Sequence, residues 1–125
     1  MKKYFAVNEN SKGITHIKCE VYYSLGGMNY FTYKQEGRGY YASVTPVERR
    51  EENYNGHPFV TEGFMAFSGI KQLVKEVSRK SDKAMQTAEK IAETVFPSLI
   101  EYVCNKEGLS LAMETTDEPK AVEVA

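Results

Sequence analysis

Tyrosines and basic side chains occur together between residues 18 and 41, and this combination can bind ligands. Six of the chain's nine tyrosines lie here, together with Phe31. Aromatic rings beside lysines can stack nucleobases and hold phosphates, and they are frequent anchors at protein interfaces. Tyrosine is also common in half-buried strands, so a purely structural role is the alternative. The candidate binding residues in this part of the chain are Tyr22, Tyr30, Tyr41, Lys18, Lys34 and Arg38.

A second basic group follows in the middle of the chain. Lys71, Lys75, Arg79 and Lys83 recur at every fourth position. On a helix this spacing would align them in one ridge, where like charges repel slightly. A negatively charged partner would explain such a ridge, and an ordinary solvated helix face is the alternative. We therefore add Lys71, Lys75 and Arg79 to the candidate binding residues.

The sequence contains no motif that indicates catalysis. No serine or cysteine stands in a recognisable nucleophile motif, and predicted strands separate His16 from His57. Cys19 and Cys104 lack the paired ligands at short spacing that a structural zinc site normally shows. We predict a protein that binds without turnover, metal or cofactor, with both cysteines reduced and buried.

The tyrosines lie on a predicted antiparallel meander that spans residues 14–46. Alternating polarity after Ile14 places Lys18 and Tyr22 on the solvent side of the first strand. Glycine-bearing turns at Gly26-Gly27 and at 35–39 bring further strands alongside. The same alternation predicts that Tyr30, Lys34 and Tyr41 share this exposed face. The three predicted strands cover 14–23, 28–34 and 40–45.

The second half of the chain is predicted to be mainly helical. Residues 47–62 lack periodicity and are predicted to form an exposed loop, and 63–67 a short fourth strand. Ser68 is a candidate N-cap for a helix over 69–80, and Ser81 is a candidate cap for a second, longer helix that ends at Gly108. Pro97 lies on the polar face of that helix and is expected to kink it. The apolar stripe of the second helix is Ala84, Met85, Ala88, Ile91, Ala92, Val95, Leu99 and Val103.

Strands followed by helices indicate an α+β fold. We expect a three- or four-stranded antiparallel sheet that is packed by a C-terminal helical hairpin on one face. The other face of such a sheet can remain in water. The chain is therefore expected to present its tyrosines on the face that the helices leave uncovered.

Length and charge favour one domain with an acidic tail. The chain has 125 residues and a net charge of -1, which argues against a protein that coats nucleic acid along its length. Residues 1–113 are expected to form the domain. Residues 114–125 carry one lysine against four acids and no aromatic residue, so we expect them to be disordered. No apolar run is long enough to span a membrane or to form a secretory signal, which predicts a cytoplasmic protein.

Two stretches of the sequence resemble small uncharacterised proteins that phages and mobile elements of gut bacteria encode. They are VYYSLGGMNYFTYKQEGRGYYASVTPVER (21–49) and AFSGIKQLVKEVSRKSDKAM (66–85). The resemblance implies an anti-defence protein of anti-CRISPR type, which occludes a CRISPR nuclease or sequesters a nucleotide signal. The favoured function is therefore neutralisation of a host defence component through the tyrosine-rich face. Two alternatives are a small nucleic-acid-binding accessory protein that uses the same tyrosines and the basic ridge, and a homodimer whose interface is the tyrosine face.

Overall fold

The computed structural model describes residues 1–64 and 69–112, and only the backbone of Phe64. The fold is α+β: strands come first, and one C-terminal helix packs against the sheet. Residues 114–125, where we predicted a disordered tail, lie outside the described residues. The elements are β1 (Lys2–Ala6), β2 (His16–Ser24), β3 (Gly27–Asn29), β4 (Lys34–Glu36), β5 (Gly39–Tyr54), β6 (His57–Phe64), β7 (Ile70–Glu76) and α1 (Asp82–Glu107).

The 16-residue strand β5 organises the main sheet. Its first half lies between β2 and β7, and its second half pairs with β6. Strand β1 extends the sheet beyond β2, and every pairing is antiparallel. Strands β3 and β4 form a separate two-stranded sheet in the connection between β2 and β5. The sheet is therefore larger than the three or four strands that we predicted.

The core lies between this sheet and α1. As the alternation in β2 predicted, Ile17, Cys19 and Val21 are buried there. On α1 the predicted stripe is buried at Ala88, Ala92, Leu99 and Val103, but Ile91 is 37% exposed because it lies at the margin of the stripe. Phe96, which was not predicted to be buried, also lies in the core, and so does Cys104, whose burial was predicted. The predicted caps of this helix are confirmed, since the Ser81 side chain accepts a hydrogen bond from the Ala84 amide and Gly108 is left-handed.

The prediction of a helical hairpin is wrong, because its first helix does not form. Residues 70–76 form strand β7 beside the first half of β5. The apolar spacing of this segment suited a helix, but pairing with a long central strand outweighs such local preferences. A register shift opposite Tyr40 and Tyr41 also breaks the strict alternation that would have identified a strand. The predicted cap Ser68 lies outside the described residues.

Two further predictions are wrong, because hairpins form where we predicted a single strand and a loop. The predicted strand 28–34 is divided into β3 and β4 by a turn at residues 30–33. The predicted loop 47–62 is a regular hairpin of β5 and β6 that turns at Asn55 and Gly56. Both turn residues have positive φ angles, 50° and 80°, as a tight two-residue hairpin turn requires. Residues 47–62 carry charged side chains on both faces of the β5–β6 hairpin, so their sequence shows no alternation of polar and apolar residues.

Candidate functional site

We call the side of the main sheet that faces away from α1 the distal face. The prediction that Lys18, Tyr22 and Tyr41 share one face is confirmed, but the predicted meander is wrong: β2 pairs directly with β5, with no strand from 28–34 between them, so Tyr22 is opposite Tyr41. The predicted exposure of the tyrosines is wrong, since Tyr41 is only 5% exposed and Tyr22 is half-buried. Their rings stack with centroids 6.0 Å apart, and burial raises the pKa of both hydroxyls. The rings therefore pack against one another and present little surface to a partner.

Lys71 and Glu36 join this pair of rings. Lys71 comes from β7, and its Nζ lies 5.2 Å from the centroid of the Tyr41 ring and 2.8 Å from Oε1 of Glu36. The other carboxylate oxygen of Glu36 accepts a hydrogen bond from the Asn29 amide at 2.9 Å. Hydrogen bonds from Asn29 and Lys71 lower the pKa of Glu36. The hydrogen bond to Glu36 raises the pKa of Lys71 against the opposing effect of burial.

The β3–β4 hairpin carries the exposed aromatic rings. Tyr30, Phe31 and Tyr33, which we call the aromatic tip, are 78%, 78% and 81% exposed. The Asn29 side-chain oxygen accepts hydrogen bonds from the amides of Phe31 and Thr32, which fixes the backbone of the turn. Leu25 and Met28 nearby are 67% and 48% exposed. Of the predicted tyrosines, Tyr30 is thus the one that the fold presents to solvent, away from Tyr22 and Tyr41.

The remaining basic candidates do not form a ridge. Lys71, Lys75 and Arg79 are no longer aligned, because Lys71 and Lys75 belong to a strand and Arg79 follows it. Lys34 is exposed on β4. The Arg38 Nε donates to the Leu25 carbonyl at 3.1 Å, so this side chain ties the two ends of the β3–β4 hairpin together.

A second cluster lies on the distal face where β6 joins β5, and we call it the polar cluster. The Tyr4 hydroxyl donates to Oε2 of Glu62 at 2.6 Å, and Lys18 Nζ donates to Oε1 at 2.7 Å. The Arg49 guanidinium lies 4.4 Å from the centroid of the Tyr4 ring. Burial and the contact with Glu62 raise the pKa of Tyr4. The pKa of Glu62 is lowered by Lys18 and Tyr4 despite burial.

Sequence analysis found only Lys18 of this cluster, because Arg49 and Glu62 fell in the predicted loop. Two guanidinium nitrogens of Arg49, Nε and Nη2, are buried and have no hydrogen-bond partner among residues 1–64 and 69–112. His16 contacts the edge of the Tyr4 ring, and its pKa is lowered by burial and by Arg49. A depression of about 190 Å³ beside the cluster is lined by Lys18, Glu20, Thr45, Val47 and Glu62.

A wider depression of about 520 Å³ lies where the first turn of α1 meets the sheet. Its aromatic wall contains Tyr22, Tyr23 and Tyr40, and Lys80 Nζ lies 5.7 Å from the Tyr23 ring centroid. The Tyr40 hydroxyl bonds both the amide and the carbonyl of Ser81. Aromatic walls with a few polar groups are typical of small-ligand sites.

In the described part of the chain, no three His, Cys, Asp or Glu side chains are placed to hold a metal ion. Cys19 and Cys104 are both buried and unbridged. No helix in the described residues has the length and apolar character needed to cross a membrane. Comparisons with protein-family models, with curated proteins and with solved structures found no match to this chain.

Proposed function

We propose that this chain is a non-enzymatic binding protein that docks on a partner protein through the aromatic tip of its β3–β4 hairpin. The observation that carries the proposal is the exposure of three neighbouring rings, Tyr30, Phe31 and Tyr33, at 78–81% on one short turn. Exposed aromatic clusters of this kind mark interaction sites. Aromatic anchors commonly contribute about 2 kcal/mol or more each to an interface.

Charge favours a protein over a nucleic acid as the partner of the aromatic tip. Between Leu25 and Gly37 the chain has one lysine, Lys34, and one glutamate, Glu36, so the hairpin is neutral. Glu36 is also paired with Lys71, which removes that lysine as a free phosphate ligand. Affinity for nucleic acid depends on several cations that neutralise phosphates. The hairpin instead offers an aromatic surface without net charge, which suits a pocket on a folded protein.

The resemblance noted above supplies the setting of the proposal. The partner is a component of bacterial defence, with a CRISPR nuclease as the first candidate, and the protein acts in the cytoplasm of the infected cell. Binding by an exposed hairpin needs no turnover: occupancy of a nuclease surface is sufficient to block it. The hairpin is small enough to enter a cleft that the rest of the domain cannot reach.

A plasmid-interference assay tests this function. Cells that carry a CRISPR nuclease and a matching target plasmid are transformed with and without this protein. We expect the wild-type chain to restore plasmid uptake, and a variant with Tyr30→Ser, Phe31→Ser and Tyr33→Asn to lose the effect. A variant with Tyr54→Ser and Phe59→Ser is the matched control, because those rings are 70% and 42% exposed on the β5–β6 hairpin.

The outcomes separate the competing functions. Equal activity of the tip variant and the wild type would refute docking by the aromatic tip. Failure of the wild-type chain against a panel of CRISPR nucleases would refute the anti-CRISPR setting. Sedimentation of the wild type and both variants tests whether the aromatic tip is a homodimer interface. A dimeric wild type with a monomeric tip variant would assign the rings to self-association.

The second candidate function is sequestration of a nucleotide signal, and the 520 Å³ depression favours it. The ring of Tyr23 offers a stacking surface, and Lys80 beside it offers a cation for phosphate. Calorimetric titration with cyclic dinucleotides and cyclic oligoadenylates tests this function. Binding that Tyr23→Ala and Lys80→Ala abolish, while the tip variant retains it, would replace the protein-docking proposal. Absence of heat with every nucleotide would remove this candidate.

A further inference from the structure

The β3–β4 hairpin is a short ribbon that needs support from outside. It has three residues in each strand, and among residues 1–64 and 69–112 it has no ladder to the main sheet. An isolated two-stranded ribbon is marginally stable in water. Its orientation on the domain must therefore come from side chains and from its two ends.

Glu36 joins the hairpin to the main sheet. One carboxylate oxygen binds Lys71 of the main sheet and the other binds Asn29 of the facing hairpin strand. Glu36 therefore connects both strands of the hairpin to β7. The side chains of Lys71 and Glu36 are only 36% and 24% exposed, so water competes less strongly than at a fully exposed pair.

Tyr41 completes the attachment. Its buried ring lies under Lys71, and its hydroxyl donates to the Gly37 carbonyl at 2.6 Å. The two tyrosines that the sequence analysis assigned to partner binding, Tyr22 and Tyr41, thus form the platform beneath the ion pair. Their role is to support the hairpin, whereas the exposed rings of the aromatic tip make the contact.

We propose that Lys71 and Glu36 are positioning residues, which hold the aromatic tip in one orientation before a partner arrives. The inference rests on the proposed function for its purpose, but the positioning itself is measurable without a partner. Preorganisation strengthens binding because a fixed loop loses less conformational freedom on docking. Loss of the ion pair is expected to weaken binding about fivefold, as a contact worth about 1 kcal/mol does.

A single tryptophan reports on the hairpin, because the chain has none of its own. Phe31→Trp places the probe on the aromatic tip, where the side chain is 78% exposed and a larger ring is expected to fit. In this background we expect Lys71→Met to lower the fluorescence anisotropy of the probe. Lys71→Arg, which retains the charge and a donor, is expected to keep most of the anisotropy. Lys2→Met is the control, since it breaks the Lys2–Glu20 pair elsewhere on the distal face.

Hydrogen exchange on the chain without the tryptophan gives a second measurement. Amides of residues 27–36 are expected to exchange faster in Lys71→Met, while those of β2 and β5 keep their protection. Unchanged exchange and anisotropy would overturn the proposal. So would an equal loss of protection in hairpin and core, because Lys71 would then stabilise the whole domain and position nothing. The two proposals can fail separately. If the wild-type chain has no effect in the plasmid assay but Lys71→Met still makes the hairpin mobile, the proposed function is refuted and the positioning role of Lys71 is retained.

Discussion

The two hairpins of this protein are attached to the same sheet in different ways. The β5–β6 hairpin continues strands of the main sheet, and its outer residues 50–59 are all exposed. The β3–β4 hairpin leaves the sheet and returns, and side chains hold it against β7. One is oriented by the continuous backbone ladder of β5, and the other by an ion pair and a tyrosine hydroxyl.

The two hairpins expose different types of residue to solvent. In β5–β6 the exposed residues include Arg50, Glu51 and Glu52, which suit a solvated ribbon and discourage edge-to-edge association. In β3–β4 the exposed residues are Tyr30, Phe31 and Tyr33, which water does not favour. Tyr54 and Phe59 of β5–β6 are 70% and 42% exposed but lie on two different strands, whereas the three rings of the aromatic tip share one turn. The aromatic tip is therefore the surface that calls for a partner.

The largest effect is expected at the base of the β5–β6 hairpin. Tyr4 is 2% exposed and contacts β6 through its hydroxyl bond to Glu62. Tyr4→Ala is expected to lower the free energy of unfolding by about 3–5 kcal/mol, since it leaves a cavity where a ring was buried. Tyr4→Phe keeps the ring and is expected to cost about 1 kcal/mol for the lost hydrogen bond. Urea denaturation measures both, and equal losses would show that the hydroxyl matters more than the ring.

Glycine substitutions distinguish the two turns. A Cβ at Gly26 would lie 2.6 Å from the Glu36 carbonyl oxygen and 2.8 Å from Gly37, whereas a Cβ at Gly56 meets no atom within 4 Å. Both residues have positive φ. Gly56→Ala is therefore expected to cost about 1 kcal/mol, and Gly26→Ala about 2–3 kcal/mol with loss of amide protection across β3–β4. A larger effect at Gly56 would contradict the close packing at the base of β3–β4.

The sequence analysis predicted the helix-facing core well and the distal face only in part. Alternation in β2 identified Ile17, Cys19 and Val21 because one face of that strand is fully buried and the other is not. The shared face of Tyr22 and Tyr41 was also predicted, but their direct pairing was not, because the meander placed strand 28–34 between them. Exposure could not be predicted, because it depends on what else covers the distal face.

The covering elements come from parts of the chain that have ambiguous local patterns. Strand β7 has apolar residues at helical spacing without strict alternation, and pairing with β5 outweighs that local pattern. Glu62 and Arg49 looked like members of a charged loop until their pairing across β5 and β6 brought them together. A local signal did exist for that hairpin: Asn55-Gly56 is a strong two-residue turn sequence.

Acid is expected to weaken the contacts of Glu36 in the β3–β4 hairpin and those of Glu62 in the β5–β6 hairpin to different degrees. The folded-state pKa values of Glu36 and Glu62 both lie below the ordinary value of 4.5. Their stabilising effect is thus complete above that value and is lost as the pH falls through the lowered pKa. Glu62, whose side chain is 16% exposed and which belongs to the main sheet, is expected to contribute about 1–2 kcal/mol to global stability.

Thermal melting between pH 6 and pH 3 measures this difference. Glu62→Gln is expected to melt lower than wild type at pH 6 and to show a shallower decline below pH 4.5. Glu36→Gln is expected to leave the melting profile near that of wild type and to change only the hairpin, followed by the Phe31→Trp probe. A steep wild-type decline that Glu36→Gln removes would reverse the assignment of the two carboxylates.

The smallest loss of stability is expected at Arg49, where two contributions oppose one another. Stacking of its guanidinium on Tyr4 favours the folded state by about 0.5–1 kcal/mol. Its buried Nε and Nη2 lack hydrogen-bond partners among the described residues, and each such group costs about 1–3 kcal/mol. Methionine retains an apolar contact with the ring and has no buried donor. The two unpaired donors cost more than the stacking contributes, so Arg49→Met is expected to raise the free energy of unfolding by about 1 kcal/mol or more in urea denaturation. Arg50→Met on the exposed ribbon is the matched control. A loss of more than about 2 kcal/mol at Arg49 alone would show that its guanidinium is hydrogen-bonded in solution, with water as the simplest partner.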